Sequence, residues 1–433
     1  MSQDPRTVLA ESPMTWRQVA VVVISLWLTA LDGFDVLAIS FAAPGIARDW
    51  GIDRAALGVV LSMELFGMGF GSILIGGLAD QLGRRNTILG CVSIMAIGMT
   101  MAAAAHGVYD LSIWRVFTGL GIGGVLAASN AVAAEFANLR RRDLSVSVMA
   151  IGYPLGAIGG GAVVAVLLRQ HDWRVVFQFG AAMTALSVPI VFWGVPESVA
   201  WLCYRQPARA LERVNRGLAQ LGYPPVTALP PAPARSGQRL SLARIFRPEL
   251  APTTVLLSLT YFLHVLTFYF MLKWVPKIVV DMGFAASAAA SVLVWANVGG
   301  ATGGAFLGLM SQRFAVKGLT IALLAVSTGM VVLFGHQQAS LAGLSLICAL
   351  TGFCTNGGIV GIYAVLARAF PTDLRATGSG FAIGTGRGGA MLAPILAGYL
   401  FQAGYGLQVV ALVMSGGSLA AGACLAMVRL RSR

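Results

Sequence analysis

Long apolar blocks, each about as long as a bilayer is thick, alternate along this chain with short polar segments. A membrane-crossing helix needs roughly 20 mostly apolar residues. Read in that window, spans fall at 17–44, 55–79, 86–106, 111–137, 143–168 and 174–196. After a polar interval come 251–281, 285–312, 317–336, 340–369, 375–402 and 405–430. The blocks do not alternate residue by residue, as the strands of a membrane barrel do. The pattern predicts an all-α polytopic membrane protein of twelve transmembrane helices in two six-helix bundles. The tail is 1–16, the N-terminal bundle 17–196, the basic loop 197–250 and the C-terminal bundle 251–430.

Composition narrows the class further. Of 433 residues 57% are apolar and 11% charged, against about 25% charged in soluble domains. That excludes an ordinary soluble enzyme, a disordered chain and a coiled coil. The net charge of +13 would suggest nucleic acid in a soluble protein. Here only Lys273, Lys277 and Lys317 are lysines, and the arginines cluster between apolar blocks. Loop arginines of that kind set topology and meet anionic headgroups, so no nucleic-acid partner is expected. With the N-terminus inside, 22 basic residues fall on the inner segments and about five outside. Both termini and the central loop are therefore expected to be cytoplasmic. The loop adds a proline-rich run, Leu229-Pro230-Pro231-Ala232-Pro233, and a stretch at 205–221 that reads as an amphipathic helix lying on the membrane. Five cysteines form no CxxC pair, so neither a disulfide framework nor a metal site is indicated. No signal peptide is recognisable in the polar first fifteen residues.

The two halves echo each other. Gly77-Leu78-Ala79-Asp80-Gln81-Leu82-Gly83-Arg84-Arg85 leaves the second span, and Gly308-Leu309-Met310-Ser311-Gln312-Arg313 leaves the eighth. Asn138-Leu139-Arg140 after span four matches Asp373-Leu374-Arg375 after span ten. Two repeated six-helix halves are a transporter architecture. Glycines spaced by four, at Gly152, Gly156 and Gly160, at Gly300, Gly304 and Gly308, and at Gly380, Gly384 and Gly388, suit close helix contacts.

Ionisable groups inside a membrane are costly and point to function. They are Asp32, Asp35, Glu64, Arg115, His264, Lys273 and Arg387. No catalytic triad, paired catalytic acids, HExxH or P-loop accompanies them, so no enzyme is expected. Asp32 and Asp35, at i and i+3, share one face of the first helix. A mid-span carboxylate costs about 2.5–3.5 kcal/mol on insertion scales. Two so close raise at least one pKa, which suits a group that binds and releases a proton; a structural pair bonded to a neighbouring Arg is the alternative. Arg387, among Gly384, Gly386, Gly388 and Gly389, offers a planar fork for a carboxylate, or else an ion pair with an acid such as Glu64. Arg115 lies near the outer end of span four, where snorkelling and a buried role are equal readings. Lys273, before Trp274 and Pro276, reads as an interfacial anchor rather than a ligand. His264 reads as a hydrogen-bonded core residue or a proton relay. Phe262, Phe268, Tyr269, Phe270 and Tyr363 offer rings for an aromatic substrate or for packing.

Gly76-Gly77-Leu78-Ala79-Asp80-Gln81-Leu82-Gly83-Arg84-Arg85 resembles the signature loop of the major facilitator superfamily, and Arg115 with the following glycines resembles its fourth-helix motif. Asp32-Gly33-Phe34-Asp35 resembles the first-helix motif of its aromatic acid:proton symporters. Lys273-Trp274-Val275-Pro276, and Leu374-Arg375-Ala376-Thr377-Gly378 leading to Gly386-Arg387-Gly388-Gly389-Ala390, agree. The resemblance implies inward co-transport of a small aromatic carboxylate, such as a hydroxybenzoate, with protons. It implies coupling by Asp32 and Asp35, and substrate contact by Arg387 with Asn130, Tyr363 and Phe268. Conformational gating would fall to Gly77, Asp80, Gly83, Arg84, Arg85 and Arg115. The expected protein is a monomer in the cell's inner membrane, in contact with lipid and driven by the proton gradient without a cofactor. A proton-driven drug efflux carrier and a carrier-fold sensor are the rival readings. The chain departs from the pattern where the second half lacks an acid matching Asp80, and at Glu64.

Overall fold

The computed structural model describes residues 4–231, 242–336, 340–371 and 374–428. Ala232, Pro233 and Asp373, named in the sequence reading, lie outside the described residues, as do five of the inner basic residues counted there, Arg235, Arg239, Arg429, Arg431 and Arg433.

The apolar blocks become helices close to their expected bounds. In chain order they are α2 (Trp16–Trp50), α3 (Arg54–Leu82), α4 (Arg84–Ala103), α5 (Val108–Phe136), α6 (Arg142–Leu167) and α7 (Arg174–Gly194). Then follow α10 (Ala251–Asp281), α11 (Ala286–Met310), α12 (Val316–Gly335), α13 (Leu341–Ala369), α14 (Arg375–Gln402) and α15 (Leu407–Met427). Before them stands α1 (Pro5–Glu11), and between the two sets lie α8 (Val199–Arg205) and α9 (Ala210–Leu221). No strand occurs among the described residues. Among the described residues, eleven helices are long and apolar enough to cross a membrane. The twelfth long helix, α14, is diluted by Arg387 and a run of glycines.

α2 continues past the expected end at 44 to Trp50, with Pro44 inside it. A proline removes one helical donor, and a packed neighbour tolerates that inside a bundle. Hydroxyls within α2 bond back to their own helix: Ser25 donates to the Val21 carbonyl at 3.0 Å and Thr29 to that of Ser25 at 2.9 Å. These two hydroxyls are thereby satisfied without a partner helix.

The chain forms two compact units, passing between them within α2, α3, α6 and α7. The first comprises Met1–Val36, Phe66–Ala157 and Phe177–Gly237. In it α6 packs on α2 where Gly152 and Gly156 meet the backbone carbonyls of Leu26 and Ala30. The second unit comprises Leu37–Leu65, Ile158–Val176 and Gln238–Arg433. There α10 packs against α14 and α15, and α11 against α13.

The glycine stripes are corrected in register. On α11 the backbone contact with α13 is made by Gly299 and Gly303, at the carbonyls of Ala349 and Phe353. Gly300 and Gly304 face side chains of α13, and Gly308 faces open space. On α14, Gly380 and Gly384 also face open space. Adjacent helix positions point about 100° apart, so a one-residue shift decides which glycine meets the neighbour.

The loop helix is also corrected. The expected 205–221 helix is interrupted: Gln206 and Arg209 are left-handed, with φ of 44° and 58°. The remaining α9 buries Val214, Leu218 and Leu221. Arg17 Nη1 donates to the Gln220 carbonyl at 2.6 Å, and the Tyr223 hydroxyl bonds Gln18 at 2.8 Å. The apolar side of α9 is covered by protein, so it is not a surface for lipid.

Candidate functional site

Three groups of polar residues stand out, two in the first unit and one in the second.

The first surrounds the acids of α2. Asp32 and Asp35 are 1% and 0% exposed. Between them, Gly33 lets the α6 backbone approach so closely that a Cβ would collide with the Tyr153 carbonyl. Asp35 Oδ1 faces Gly180 of α7, and Phe34 stacks edge-on against Phe179 at 5.2 Å. Arg115 of α5 lies fully buried in the same place. Its Nη2 donates to the Asp35 carbonyl at 3.0 Å and its Nη1 to Met99 Sδ at 3.1 Å. Its guanidinium sits 5.3 Å from the Phe177 ring centre. Of the two sequence readings of Arg115, snorkelling is overturned. The structure places it beside the α2 acids and away from the Asp80 loop with which it had been grouped. A desolvated guanidinium bonded to the Asp35 carbonyl puts a fixed positive charge against the segment of α2 that bears both acids.

The second group gathers where α3 ends. Arg84 Nη1 binds Asp80 Oδ1 at 2.7 Å and the Ala79 carbonyl at 2.8 Å, while its Nη2 reaches Glu135 Oε1 at 3.2 Å. Glu135 also accepts from the Ser198 hydroxyl. Glu197 Oε1 accepts from the backbone amides of Arg84 at 2.8 Å, Arg85 at 3.3 Å and Ser198 at 2.9 Å. That places a carboxylate on the first turn of α4, where amide donors and the helix dipole favour negative charge. Trp201 Nε1 donates to the Asp80 carbonyl at 3.0 Å, and Arg85 Nη2 to the Phe192 carbonyl at 2.5 Å. Gly77 faces open space and lines, with Arg6, Asp80, Arg84, Glu135 and Trp201, a cavity of about 660 Å³. At its rim the Arg6 guanidinium, hydrogen-bonded to Asp4, holds that carboxyl below its usual range.

Glu135, Glu197 and Trp201 were not singled out in the sequence. The available signal was Ser198, whose hydroxyl caps α8 by accepting from the Trp201 amide at 3.1 Å. Gly83 is the pivot of this group. Its φ is +96°, and a Cβ there would strike the Glu197 carboxylate. Gly83→Ala is therefore expected to cost about 1–3 kcal/mol, the scale of a strained backbone position, read as a lowered melting temperature of the detergent-solubilised protein. An unchanged melting temperature would show that the Glu197 contact is dispensable.

The third group lies in the second unit. Gly386 of α14 presses on the Tyr261 ring, and Gly389 lies against the α10 backbone, its Cβ position 2.5 Å from the Phe262 carbonyl. These contacts seat half-buried Arg387 beside α10. The Tyr261 and Tyr363 hydroxyls share a 2.7 Å hydrogen bond, and the Arg387 charge acts on both. The structure thus brings Arg387 and Tyr363 together and adds Tyr261, which the sequence reading had not named. Phe268 is half-buried two turns along α10 from Tyr261 and packs on Tyr269. Asn130 belongs to the first unit, where its exposed side chain bonds the Leu126 carbonyl of its own helix at 2.9 Å.

Two further sequence readings change. Lys273 is not an interfacial anchor: it is fully buried and pairs with Glu64, Nζ to Oε2, at 3.6 Å. Glu64 is therefore held by Lys273, whereas the sequence had offered it as a partner for Arg387. His264 is fully buried, with Nδ1 at 2.9 Å from the Ser418 hydroxyl and Nε2 at 2.8 Å from the Thr355 carbonyl. With one nitrogen donating to a carbonyl and the other bonded to a hydroxyl, it is a satisfied core residue.

Comparison with known proteins follows the same lines. The model of the Major Facilitator Superfamily matches residues 26–296 and 257–433. The gallate transporter of Pseudomonas putida is 29% identical over 94% of this chain and 90% of its own length. The 4-hydroxybenzoate transporter PcaK of Pseudomonas aeruginosa is 31% identical over 92% and 89%. The 3-(3-hydroxy-phenyl)propionate transporter of Escherichia coli is 31% identical over 93% and 91%. Among solved structures, a D-xylose-proton symporter superposes with a TM-score of 0.70 at 17% identity, covering 94% of this chain and 97% of the other. The inward open xylose transporter XylE from E. coli gives 0.71 at 15%, covering 95% and 96%.

Proposed function

Since the chain belongs to the major facilitator superfamily, among its aromatic acid transporters, we propose that it imports a small aromatic carboxylate of the hydroxybenzoate kind together with protons. The observation that carries this reading is the seating of Arg387 beside the Tyr261–Tyr363 pair. A guanidinium offers paired donors to a carboxylate, and two tyrosines offer ring faces and hydroxyls to a substituted ring. Phe268 extends the aromatic lining along α10. Asn130 of α5 is a further substrate contact in this reading.

Asp32 and Asp35 carry the coupling proton, with Arg115 setting the charge around them. The Asp80, Arg84 and Glu135 cluster, with Arg85, Gly77 and Gly83, latches the cytoplasmic side between states. Alternating access is rocking of 17–196 against 251–430. The protein works as a monomer in the inner membrane, with lipid around it and the proton gradient as its energy source. The Asp80 end faces the cytoplasm and the Arg54 end faces outward. A reporter active only in the cytoplasm is expected to give signal when fused within 221–231 and none near Gly107. The reverse pattern would overturn this orientation.

The substrate class is tested by competition. Uptake of labelled 4-hydroxybenzoate into cells expressing the protein should be blocked by excess benzoate-type acids and unaffected by 4-hydroxybenzyl alcohol. No uptake, together with raised resistance to hydrophobic drugs, would favour an efflux carrier.

A further inference from the structure

A cavity of about 810 Å³ opens at the Arg54 end of the second unit, and its wall includes none of the Asp32, Arg387 or Asp80 groups. The last turn of α2, the α2–α3 turn, the α6–α7 turn and the last turn of α10 meet there. Its volume lies within the roughly 300–1,000 Å³ usual for small-molecule sites. Four rings line it: Phe41, Trp173, Phe284 and Phe401. Three of them are fixed by packing, at 2%, 4% and 7% exposed for Phe41, Trp173 and Phe401. Phe284, half-buried, is the ring most open to an occupant.

The wall also carries three basic side chains, Arg48, Arg54 and Lys277, and three acids, Asp53, Asp172 and Asp281. Each acid is engaged within the protein. Asp53 accepts from the Ala56 amide at 2.7 Å. Asp172 accepts from the Arg174 amide at 3.1 Å and lies 3.4 Å from its guanidinium. Asp281 pairs with Lys277 and, at 3.3 Å, with Arg54. Even Asp49, beside Arg48 in the sequence, is taken by the Trp173 indole at 3.2 Å and Arg174 at 3.1 Å. Arg48 is the exception: it is exposed, lines the cavity, and makes no hydrogen bond or ion pair among the described residues. The C-terminal dipole of α2 favours a cation at this position but leaves its donors open. A guanidinium with open donors, among carboxylates already engaged, suits an anion from outside the chain. The rings beside it suit an anion that carries an aromatic group.

We propose that this cavity is an entry-side binding site for aromatic carboxylates, with Arg48 taking the carboxylate and Phe284 the ring. The proposal rests on the reading of the protein as an importer of aromatic acids whose Arg54 end faces outward. Here the carboxylate is met in water, so the site holds it weakly and salt screens the attraction. Weak holding suits a site at the mouth, which must fill and empty faster than the carrier turns over. The Arg387 group remains the site from which substrate is carried.

The test is uptake of labelled 4-hydroxybenzoate by cells expressing the protein, over a concentration series at low and high salt. R48Q is expected to raise the half-saturating concentration about two- to fivefold at low salt, the yield of one exposed ion pair. Its maximal rate should equal that of wild type, which also shows that the variant is folded. At high salt the difference between R48Q and wild type should shrink, because the charge is screened. Phe284→Ala should raise the half-saturating concentration at both salt levels, since ring contact is not screened. An unchanged half-saturating concentration in R48Q, or a loss confined to the maximal rate, would overturn the proposal. Wild-type cells that take up no aromatic acid would overturn the substrate class itself, and this site with it.

Discussion

Replacing Arg387 by Lys is expected to weaken binding of an aromatic acid by about 1–3 kcal/mol, roughly 5- to 150-fold, the scale of a charge-assisted hydrogen bond. The charge survives this change and the planar fork does not. The loss therefore reports geometry and separates a ligand from a diffuse attraction. Gly386 and Gly389 seat this part of α14 against Tyr261 and Phe262, so the shorter lysine stem starts from the same backbone position but cannot place two parallel donors. Arg387→Ala removes both features and should bind the acid more weakly still. The check is a titration of purified protein with 4-hydroxybenzoate, followed by calorimetry. Affinity in Arg387→Ala equal to wild type would assign the residue a structural role.

Asp32→Asn and Asp35→Asn should abolish accumulation driven by a pH gradient while sparing exchange of labelled for unlabelled substrate. The amide copies a permanently protonated carboxyl in size and shape. Exchange needs binding and rocking but no net proton movement. A structural role gives a different pattern, because Arg115 lies buried beside these acids with its Nη2 on the Asp35 carbonyl at 3.0 Å. Removing a buried negative charge would then leave that guanidinium uncompensated and cost several kcal/mol, roughly 3–5. Both activities and the protein yield would fall together. Counterflow and gradient-driven uptake in the same vesicles, normalised to protein, distinguish the two. Both variants concentrating substrate as well as wild type would remove the acids from coupling.

The spans were legible because a 20-residue apolar block has few other structures open to it. Their ends were less so: α2 runs through Pro44 because neighbouring helices tolerate a missing donor, and nothing local says so. The helix α1 was missed, although Asp4 before Pro5 is a capping residue followed by a proline in the first turn. The Asp80 loop was visible as a motif, but its carboxylate partners Glu135 and Glu197 come from 51 and 113 residues away from Arg84. Lys273 was misread because a lysine before Trp274 and Pro276 has the local features of a helix end. Only the packing of α3 on α10 reveals its acid. Tyr261 was missed for the same reason: its meeting with Tyr363 and Arg387 depends on how α10, α13 and α14 pack.

Transport of an aromatic carboxylate driven by a proton gradient is measured by following labelled 4-hydroxybenzoate into vesicles containing the purified protein, with the interior made alkaline. Accumulation well above that of protein-free vesicles is expected, collapsing when a protonophore dissipates the gradient. Uptake equal to that of protein-free vesicles, or unaffected by the protonophore, would contradict it.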